Sequence, residues 1–347
     1  MKVLVMAPDQ LKARVGGLRT QVERTTEELV NLGVEVDYFC PWKEYNFSEY
    51  DLCHVFSMNT PNYFKSMMVK DKLPLVYSSV MWRTSSRKKI RLFVELGIRV
   101  PYMVLNDVIT CRLMSKWARV ILPNTNQETD WLVEATGVDR KKCHMVPNGA
   151  DDHFDGLDRT ELYNGSSVKI EDDFIFCSSV VSTRKNLVAL GEACLKLGYP
   201  LVIAGPIVDE SVEKKLNLLV DKGAKITLLG SLPNDSYQMG YLYSHCRVFC
   251  LPSFYETPGI SALEAGLRGA NIVVTEVGGA SDYFSDMALY VDPNSSKDIE
   301  EKLKSAWLRD WNDTDRSKIS DHIKNEFSWS SVAEKTLEQY KKVLDIA

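Results

Sequence analysis

The 347-residue sequence lacks several features that define special classes of protein. Its longest apolar stretches, such as 248–252 and 272–274, are interrupted by charge well before the roughly 20 residues that a membrane-spanning helix needs. The eight cysteines form no C-x-x-C pair, which excludes a zinc or redox site of that kind and favours reduced core thiols. The absence of a regular repeat or low-complexity tract excludes solenoid and fibrous architectures.

The first residues also lack the long apolar region and small-residue cleavage site of a signal peptide. We therefore expect a cytoplasmic protein. The net charge is −5, which argues against a general nucleic-acid binder. This charge is unevenly distributed, because residues 1–150 carry 21 Lys and Arg against 16 Asp and Glu, whereas the remainder carries 21 against 31. A basic first half favours an anionic substrate or an anionic lipid surface as its partner.

Short β-branched runs alternate with longer amphipathic stretches throughout the chain, as is typical of parallel sheets with crossover helices. We predict two doubly wound α/β domains, at 1–155 and 156–328, with a linker in the Asp-, Gly- and Ser-rich segment 151–173. An amphipathic helix is predicted within 329–347. The predicted strands are 2–7, 34–40, 52–56, 75–79, 119–123, 144–147, 174–179, 200–204, 226–229, 248–251, 271–275 and 289–291.

The strongest local signal is residues 252–266, PSFYETPGISALEAG, directly after a predicted strand. Thr257 is predicted to cap a helix whose first residue is Pro258. Main-chain N–H groups of the next three residues would then form an anion site at the helix N-terminus, reinforced by the helix dipole. Those three residues are Gly259, Ile260 and Ser261.

Two carboxylates flank this helix start, Glu256 before it and Glu264 further along the helix. They are suited to accept hydrogen bonds from different hydroxyls of one ligand, of the kind that sugars and riboses present. The alternative interpretation is a capped surface helix with solvated glutamates.

This E-x7-E pattern resembles the retaining glycosyltransferases of family 4, and the resemblance extends over residues 1–345. It implies the GT-B fold, two Rossmann-like doubly wound domains facing a central cleft, with a nucleotide-sugar donor and no catalytic metal. It also implies that the closing helix crosses back to the N-terminal domain, which binds the acceptor. In this resemblance Glu264 holds ribose hydroxyls and Glu256 holds the transferred sugar.

Other segments match the family's motifs. Gly16 and Gly17 resemble its glycine loop, whose main-chain N–H groups approach the donor phosphates from the other lobe. Arg184 and Lys185 resemble its R-K-N loop, which implies cations that neutralise the leaving diphosphate. The segment from Gly230 to Leu232 resembles the base-binding loop. The segments 123–125 and 146–151 are similar to its P-N-S and P-N-G-V-D signatures, which imply turn and hinge geometry.

The acceptor region departs most from the family pattern. Many members place a histidine after the fourth strand, where this chain has Trp82 followed by Arg83. No histidine obviously replaces it, although His54 would face the acceptor if it stood at a strand end. The basic and aromatic segment 82–93 has two open interpretations. It is either an amphipathic segment on an anionic inner membrane surface or an ordinary solvated helix face.

We therefore predict a retaining glycosyltransferase that moves a hexose from a UDP- or GDP-linked sugar to a glycan or lipid-linked acceptor in cell-surface polysaccharide, such as lipopolysaccharide, or glycolipid synthesis. Its expected location is cytoplasmic, with a peripheral membrane position if the basic segment binds lipid. One alternative is a nucleotide-sugar epimerase of the same fold. The other is a catalytically silent protein that binds nucleotide-sugar or glycan.

Overall fold

The computed structural model describes residues 1–11, 16–83, 85–100, 104–151, 153–168, 170, 173–257 and 259–345. The chain divides into two compact units, the first formed by residues 1–149 with 329–347 and the second by residues 150–328. The predicted linker at 151–173 is part of the second unit and contains a helix at Arg159–Gly165, whose N-terminus is closed by an Asp158–Glu161 capping box.

Strands and helices alternate along both units. The strands are β1 (Lys2–Met6), β2 (Glu35–Tyr38), β3 (Leu52–Phe56), β4 (Leu75–Ser78), β5 (Ala118–Leu122), β6 (Ile175–Ser178), β7 (Leu201–Ala204), β8 (Ile226–Leu228), β9 (Val248–Leu251), β10 (Ile272–Thr275) and β11 (Ala288–Val291). The α-helices are α1 (Gly17–Asn31), α2 (Thr60–Val69), α3 (Arg87–Gly97), α4 (Asp107–Trp117), α5 (Asn126–Trp131), α6 (Arg159–Gly165), α7 (Leu187–Leu197), α8 (Glu210–Asp221), α9 (Tyr237–His245), α10 (Ile260–Leu267), α11 (Ser281–Phe284), α12 (Ser296–Leu308), α13 (Asp313–Phe327) and α14 (Trp329–Val343). Short 3₁₀ turns lie at Phe47–Glu49, Arg140–Lys142 and Thr183–Lys185, and a π-helical turn lies at Leu132–Thr136.

Each unit is built on one parallel sheet. The strand order is β2-β1-β3-β4-β5 in the first unit and β11-β10-β9-β6-β7-β8 in the second. Strands such as β7 and β9 are apolar and buried along their whole length, as expected for a parallel sheet covered on both faces. In the second sheet the chain order reverses between β6 and β9, which are neighbours. Ligands of doubly wound sheets bind beyond the carboxyl ends of the strands at such a switch point.

The strand predicted at 144–147 is wrong. Main-chain N–H groups of His144 and Val146 donate to Ile121 and Pro123 at 2.9 and 3.0 Å, so the segment follows the end of β5 only briefly. The 3₁₀ turn at Arg140–Lys142 precedes the segment, and Pro147 ends it, because proline has no N–H to continue a ladder of hydrogen bonds.

The C-terminal helix α14 is part of the first unit, where it packs against α1. Its Trp329 and Tyr340 are fully buried there. Trp329 lies so close to Gly149 that a Cβ on that glycine would come within 2.7 Å of the indole. The apolar face expected for this helix is thus covered by the N-terminal part of the chain. Among the residues that the structure covers, no helix is both long and apolar enough to cross a membrane.

Candidate active site

Three charged side chains meet at the switch point of the second sheet. Arg184 and Lys185 lie in the 3₁₀ turn after β6, and Glu256 follows β9. Because β6 and β9 are hydrogen-bonded neighbours, the loops after them begin side by side. Residues 72 positions apart in the sequence therefore share one end of the sheet.

The three side chains form one ion cluster. The Lys185 ammonium donates to Glu256 Oε1 at 2.5 Å, and Arg184 Nη1 donates to the same oxygen at 3.2 Å. Arg184 Nη1 also donates to the carbonyl of Tyr255 at 3.0 Å. The side chain of Arg184 is 39% exposed, whereas those of Lys185 and Glu256 are 10% and 7% exposed. The cluster thus presents one accessible cation above a buried ion pair.

Burial and charge act in opposite directions on Glu256. Burial raises the pKa of its carboxyl, but the positive charges of Lys185 and Arg184 outweigh burial and lower the pKa below its ordinary value. Glu256 is therefore an anion at neutral pH. Two cations on one carboxylate leave the cluster with a net positive charge, which suits it to a diphosphate.

Main-chain contacts hold the two loops together. The Phe254 N–H donates to the Arg184 carbonyl at 3.0 Å. The Asn186 side chain donates to the carbonyls of Pro252 and Pro293 at 3.2 and 2.9 Å. Asn186 has a left-handed φ of 56°, a conformation that asparagine tolerates better than most residues. The R-K-N segment therefore supplies two charges and one amide that positions their loop.

A glycine after β10 supports Glu256 from its main-chain side. Gly278 has a φ of +111°, and a Cβ at this position would lie 2.0 Å from the Glu256 carbonyl oxygen. The Glu256 N–H donates to the Val277 carbonyl at 2.9 Å. Only glycine allows the loop after β10 to approach Glu256 this closely. Gly278 thus acts at the candidate site.

The second carboxylate of the E-x7-E pattern has a different environment. Glu264 lies in α10, and its Oε2 accepts a hydrogen bond from Tyr243 at 2.8 Å. Burial raises the pKa of Glu264, and nearby Asp151 raises it further, while Tyr243 and His153 oppose the change. Tyr243 lies in α9, and its role as the partner of Glu264 was missed from the sequence.

The helix start differs from the prediction. Helix α10 begins at Ile260 with Gly259 as its N-cap, so the prediction that Thr257 caps it is wrong by two residues. Pro258 lies outside the described residues. A Cβ on Gly259 would come within 2.4 Å of Leu251 Cδ2, so this buried glycine gives room to the core. Ile260 and Ser261 occupy the first helical turn and are partly exposed.

The remaining glycine-rich segments are open turns. Gly230, after β8, has a φ of +68° and no atom within 4 Å of an added Cβ, and the nearby Leu232 packs on the core of the second unit. The Gly230 carbonyl accepts from Gly205 at 2.7 Å. In the first unit, Gly16 is the N-cap of α1 and Gly17 is its first residue. Gly16 also has open space around it.

His54 is a core residue, which corrects the expectation of a histidine at a strand end. It lies in the middle of β3 and is 1% exposed. Its Nδ1 is 2.6 Å from the Tyr340 hydroxyl and its Nε2 is 2.9 Å from Ser78 Oγ, while its ring stacks on Phe56. Both ring nitrogens are thus occupied within the first unit, where the histidine connects the sheet to α14.

This histidine should make the stability of the first unit depend on pH. Burial lowers the pKa of His54 to about 3, whereas an unfolded histidine titrates near about 6.5. Between these values the unfolded state binds the extra proton, so the free energy of unfolding falls as the pH is lowered. We expect His54→Gln to flatten this dependence by up to about 1.4 kcal/mol per pH unit in thermal unfolding. The exposed His144, replaced by glutamine, is the control, and identical slopes in both variants would contradict the prediction.

The loop after β4 carries the other two acceptor-side candidates. The Trp82 ring lies 6.5 Å from that of Trp131, and the Arg83 carbonyl accepts from the Trp131 indole at 3.0 Å. The Arg83 guanidinium lies 3.3 Å from Asp107. Val80, in the same loop, has a φ of +44°, which is strained for a β-branched residue.

A buried carboxylate that the sequence reasoning missed holds this loop. Glu128 is fully buried, and its Oε1 accepts from Ser79 Oγ at 2.6 Å and from the Met81 N–H at 2.8 Å. Its Oε2 accepts from the Asn124 N–H at 2.8 Å. Burial raises the pKa of Glu128, while these three donors oppose the change. The segment 123–125 therefore does more than form a turn. The helix that follows it, α5, carries Glu128, whose carboxylate binds the loop after β4.

Removing this carboxylate should be costly. We expect Glu128→Ala to lower the free energy of unfolding by about 3 kcal/mol or more, because three buried donors lose their acceptor. Glu128→Gln keeps two carbonyl lone pairs and should cost less. Urea unfolding of the two variants checks this, and an equal loss in both would mean that the charge, rather than the hydrogen bonds, holds the loop.

Across the parts of the chain that are described, no group of three or more His, Cys, Asp or Glu residues could hold a metal ion. The cysteines at the described positions are all free, and most are buried, as expected for reduced core thiols.

Comparison with known proteins identifies a family match within the second unit. Residues 158–325 match the family model described as glycosyl transferases group 1, a region that lies in the second unit and includes the ion cluster. O-antigen chain mannosyltransferase B of Escherichia coli is 30% identical over 168 residues, which are 46% of this chain and 43% of that protein. Mannosylfructose-phosphate synthase of Agrobacterium fabrum is 25% identical over 63% of this chain and 52% of that protein. The chain thus spans about half the length of these curated relatives.

The fold has solved counterparts. Sucrose-phosphate synthase from Thermosynechococcus elongatus superposes with a TM-score of 0.78 over 99% of both chains, at 15% sequence identity. This similarity confirms the predicted GT-B fold class, with its two parallel-sheet α/β domains. Together the comparisons show a GT-B fold, and they show that residues 158–325 match the model of the group 1 glycosyl transferases.

Proposed function

We propose that this chain is a retaining glycosyltransferase that moves a hexose from a UDP- or GDP-linked sugar to a glycan or lipid-linked acceptor. The observation that carries the proposal is the cluster of Arg184, Lys185 and Glu256 at the switch point of the second sheet. The name of the E. coli relative, a mannosyltransferase of the O-antigen chain, supports a role in cell-surface polysaccharide synthesis and a hexose as the transferred group.

The cluster is suited to the step in which the anomeric bond breaks. Negative charge then grows on the leaving diphosphate, and preorganised cations stabilise that charge without reorganising. Lys185 has three N–H donors and uses one for Glu256, so two remain for phosphate oxygens. Arg184 is the more exposed cation and offers a planar set of donors to the same group. In the proposed mechanism these two residues replace a catalytic metal.

The rest of the donor is assigned to α10 and its flanks. The first turn of α10 offers main-chain N–H groups of Ile260 and Ser261 to a phosphate. Glu264, fixed by Tyr243, is proposed to accept hydrogen bonds from ribose hydroxyls. Glu256 is proposed to orient the transferred sugar through its second oxygen, since Oε1 already binds both cations. The departing phosphate then takes the proton of the attacking acceptor hydroxyl, which forms the new bond on the same face.

A thermal-unfolding screen tests donor binding. The full chain is heated with UDP, GDP, ADP or CMP and their sugar conjugates, first without and then with divalent metal. At 100 times its dissociation constant, a ligand stabilises the fold by about 2.7 kcal/mol. A selective shift that needs no metal is the expected result. No shift with any nucleotide would refute the donor site, and binding without hydrolysis or transfer on any acceptor would favour a silent binding protein.

We further propose that α3 rests on an anionic membrane surface. Leu92, Phe93 and Leu96 are 63%, 40% and 54% exposed on this helix. The exposed Lys88 and Lys89 lie on the same side at helical spacing, so an apolar stripe is bordered by positive charge. By contrast, Arg87 and Arg91 of the predicted basic segment pair with Glu134 and Glu95.

Vesicle flotation tests the membrane proposal. Binding to vesicles with anionic lipid is expected, with loss in neutral vesicles and at high salt. Lys88→Glu with Lys89→Glu should abolish it. Lys214→Glu with Lys215→Glu makes the same charge change on another exposed helix, α8, and should have a much smaller effect. Equal loss with both pairs would show that only net charge matters, and absence of binding would refute the proposal.

A further inference from the structure

The first unit contains an open cavity of about 720 Å³ that the proposed donor chemistry does not use. It lies between α1 and the carboxyl ends of β1 and β2, and its lining includes Val5, Val36 and Val30. This volume is within the range of about 300–1,000 Å³ that small-molecule sites occupy. The cavity is large enough for one or two sugar rings.

The wall carries a mixture of polar groups. Asp9, Glu23 and Glu27 contribute carboxylates, and the hydroxyls of Thr26 and Tyr38 lie 2.7 Å apart. Ionised carboxylates and hydroxyls together can accept and donate the hydrogen bonds of a ligand that has many hydroxyl groups. The valine side chains supply the apolar surface that the C–H faces of such a ligand need.

The charges around the cavity are largely compensated. Lys65 lies 2.5 Å from Asp9, Arg19 lies 3.0 Å from Glu23, and Arg24 pairs with Glu27. Each of the three carboxylates thus has a cationic ion-pair partner. A cationic ligand would have to displace these pairs, and an anionic ligand would face the carboxylates in the wall. A neutral ligand fits this distribution best.

An exposed aromatic residue follows two of the lining residues in the chain. Trp42 is 95% exposed and directly follows Cys40 and Pro41, both of which line the cavity. Tyr38 in the wall is 47% exposed. A tryptophan left almost entirely in water forfeits a large hydrophobic gain. Flat aromatic rings next to hydroxyl-binding groups supply the apolar platform that a sugar ring needs.

We propose that this cavity binds a neutral sugar unit of the acceptor glycan, with Trp42 as a stacking platform at its rim. The proposal rests on the proposed glycosyltransferase function for the identity of the ligand as an acceptor. It locates acceptor recognition at α1, β1 and β2, on side chains distinct from Trp82, Arg83 and the loop after β4.

Binding of oligosaccharides to the full chain tests the site. The probes are neutral manno-, gluco- and galacto-oligosaccharides of three to five units, measured by saturation-transfer NMR and calorimetry without donor. Val30→Trp narrows the cavity from the exposed side of α1, and Trp42→Ala removes the platform. Each should weaken binding by about tenfold or more. Leu32→Trp adds the same bulk at an exposed position of α1's end that does not line the cavity, and should leave binding unchanged.

The outcomes separate this proposal from the proposed function. No binding of any probe at millimolar concentration, or unchanged binding in Val30→Trp, would overturn the acceptor site while nucleotide-induced thermal shifts persist. Equal loss in Leu32→Trp would attribute the effect to a disturbed helix and also count against it. If Trp42→Ala instead abolishes vesicle flotation and spares oligosaccharide binding, the exposed ring is a membrane contact. Absence of the nucleotide shift itself would refute the proposed function.

Discussion

Lys185→Ala and Glu256→Ala are each expected to lower kcat/KM for sugar transfer by about two orders of magnitude or more. Lys185 is proposed to touch the leaving diphosphate, where loss of one charged transition-state contact costs about 2.7–4 kcal/mol. Glu256 orients both the lysine and the arginine through a single oxygen, so its loss also releases the cations. Steady-state kinetics with the donor identified by thermal unfolding is the measurement. Near-native turnover in either variant would refute the assignment.

The stability of these variants needs its own control. Glu256→Ala leaves the buried Lys185 ammonium without its partner, which typically costs about 3–5 kcal/mol, whereas Lys185→Ala leaves Glu256 paired with Arg184 alone and should cost less. The double variant Lys185→Met with Glu256→Gln removes both charges and should regain much of this stability while remaining inactive. Lys196→Met breaks an exposed pair with Glu300 and should change neither property, because surface pairs contribute about 1 kcal/mol or less. Recovered transfer in the double variant would make the pair purely structural.

Gly278→Ala is expected to cause the largest loss of stability from a single added methyl group in the second unit, about 3 kcal/mol or more. Its Cβ would lie 2.0 Å from the Glu256 carbonyl oxygen, and its φ of +111° is itself strained for alanine. The loop that carries Glu256 would have to move, so the nucleotide-induced shift in the thermal midpoint should also be lost. Thermal unfolding with and without nucleotide measures both effects.

Gly198→Ala separates the two causes. Gly198 ends α7 with a φ of +72° and has no atom within 4 Å of an added Cβ. The alanine at position 198 would add only the free-energy cost of the left-handed conformation, about 1–2 kcal/mol. A similar loss in both variants would show that Gly278 is retained for its φ alone, and a preserved nucleotide shift in Gly278→Ala would contradict its role at Glu256.

Periodicity in the sequence was sufficient for most of the sheet architecture. Strands such as β7 and β9 are continuous apolar runs because both faces of a parallel sheet are covered, and this signal is local. The segment 144–147 has a similar composition but forms no strand, because only two of its N–H groups reach β5 before Pro147. Composition specifies which residues prefer to be buried, whereas pairing depends on a neighbouring strand being present.

At the candidate site, too, local patterns predicted some residues, whereas contacts with distant residues were not predictable. Arg184, Lys185, Glu256 and Glu264 were identified from motif and position, because each follows a strand or lies in the helix after one. The contact of Tyr243 with Glu264 and that of Glu128 with Ser79 were missed, since these partners lie at distant positions in the sequence. The sequence alone does not show whether a polar residue on an amphipathic helix is solvated or buried.

The sequence by itself determined the alternation of strands and helices, the two α/β halves and the charged residues that follow β6 and β9. These are local properties, because apolar spacing and chain order act over a few residues. Only the tertiary structure decided that β6 and β9 are neighbours, so that one carboxylate oxygen receives both Lys185 and Arg184. It also decided that His54 is a buried link to Tyr340. Such contacts form only when the strands have assembled into the sheet. Burial then shifts the pKa of each group and so determines the charge that it carries.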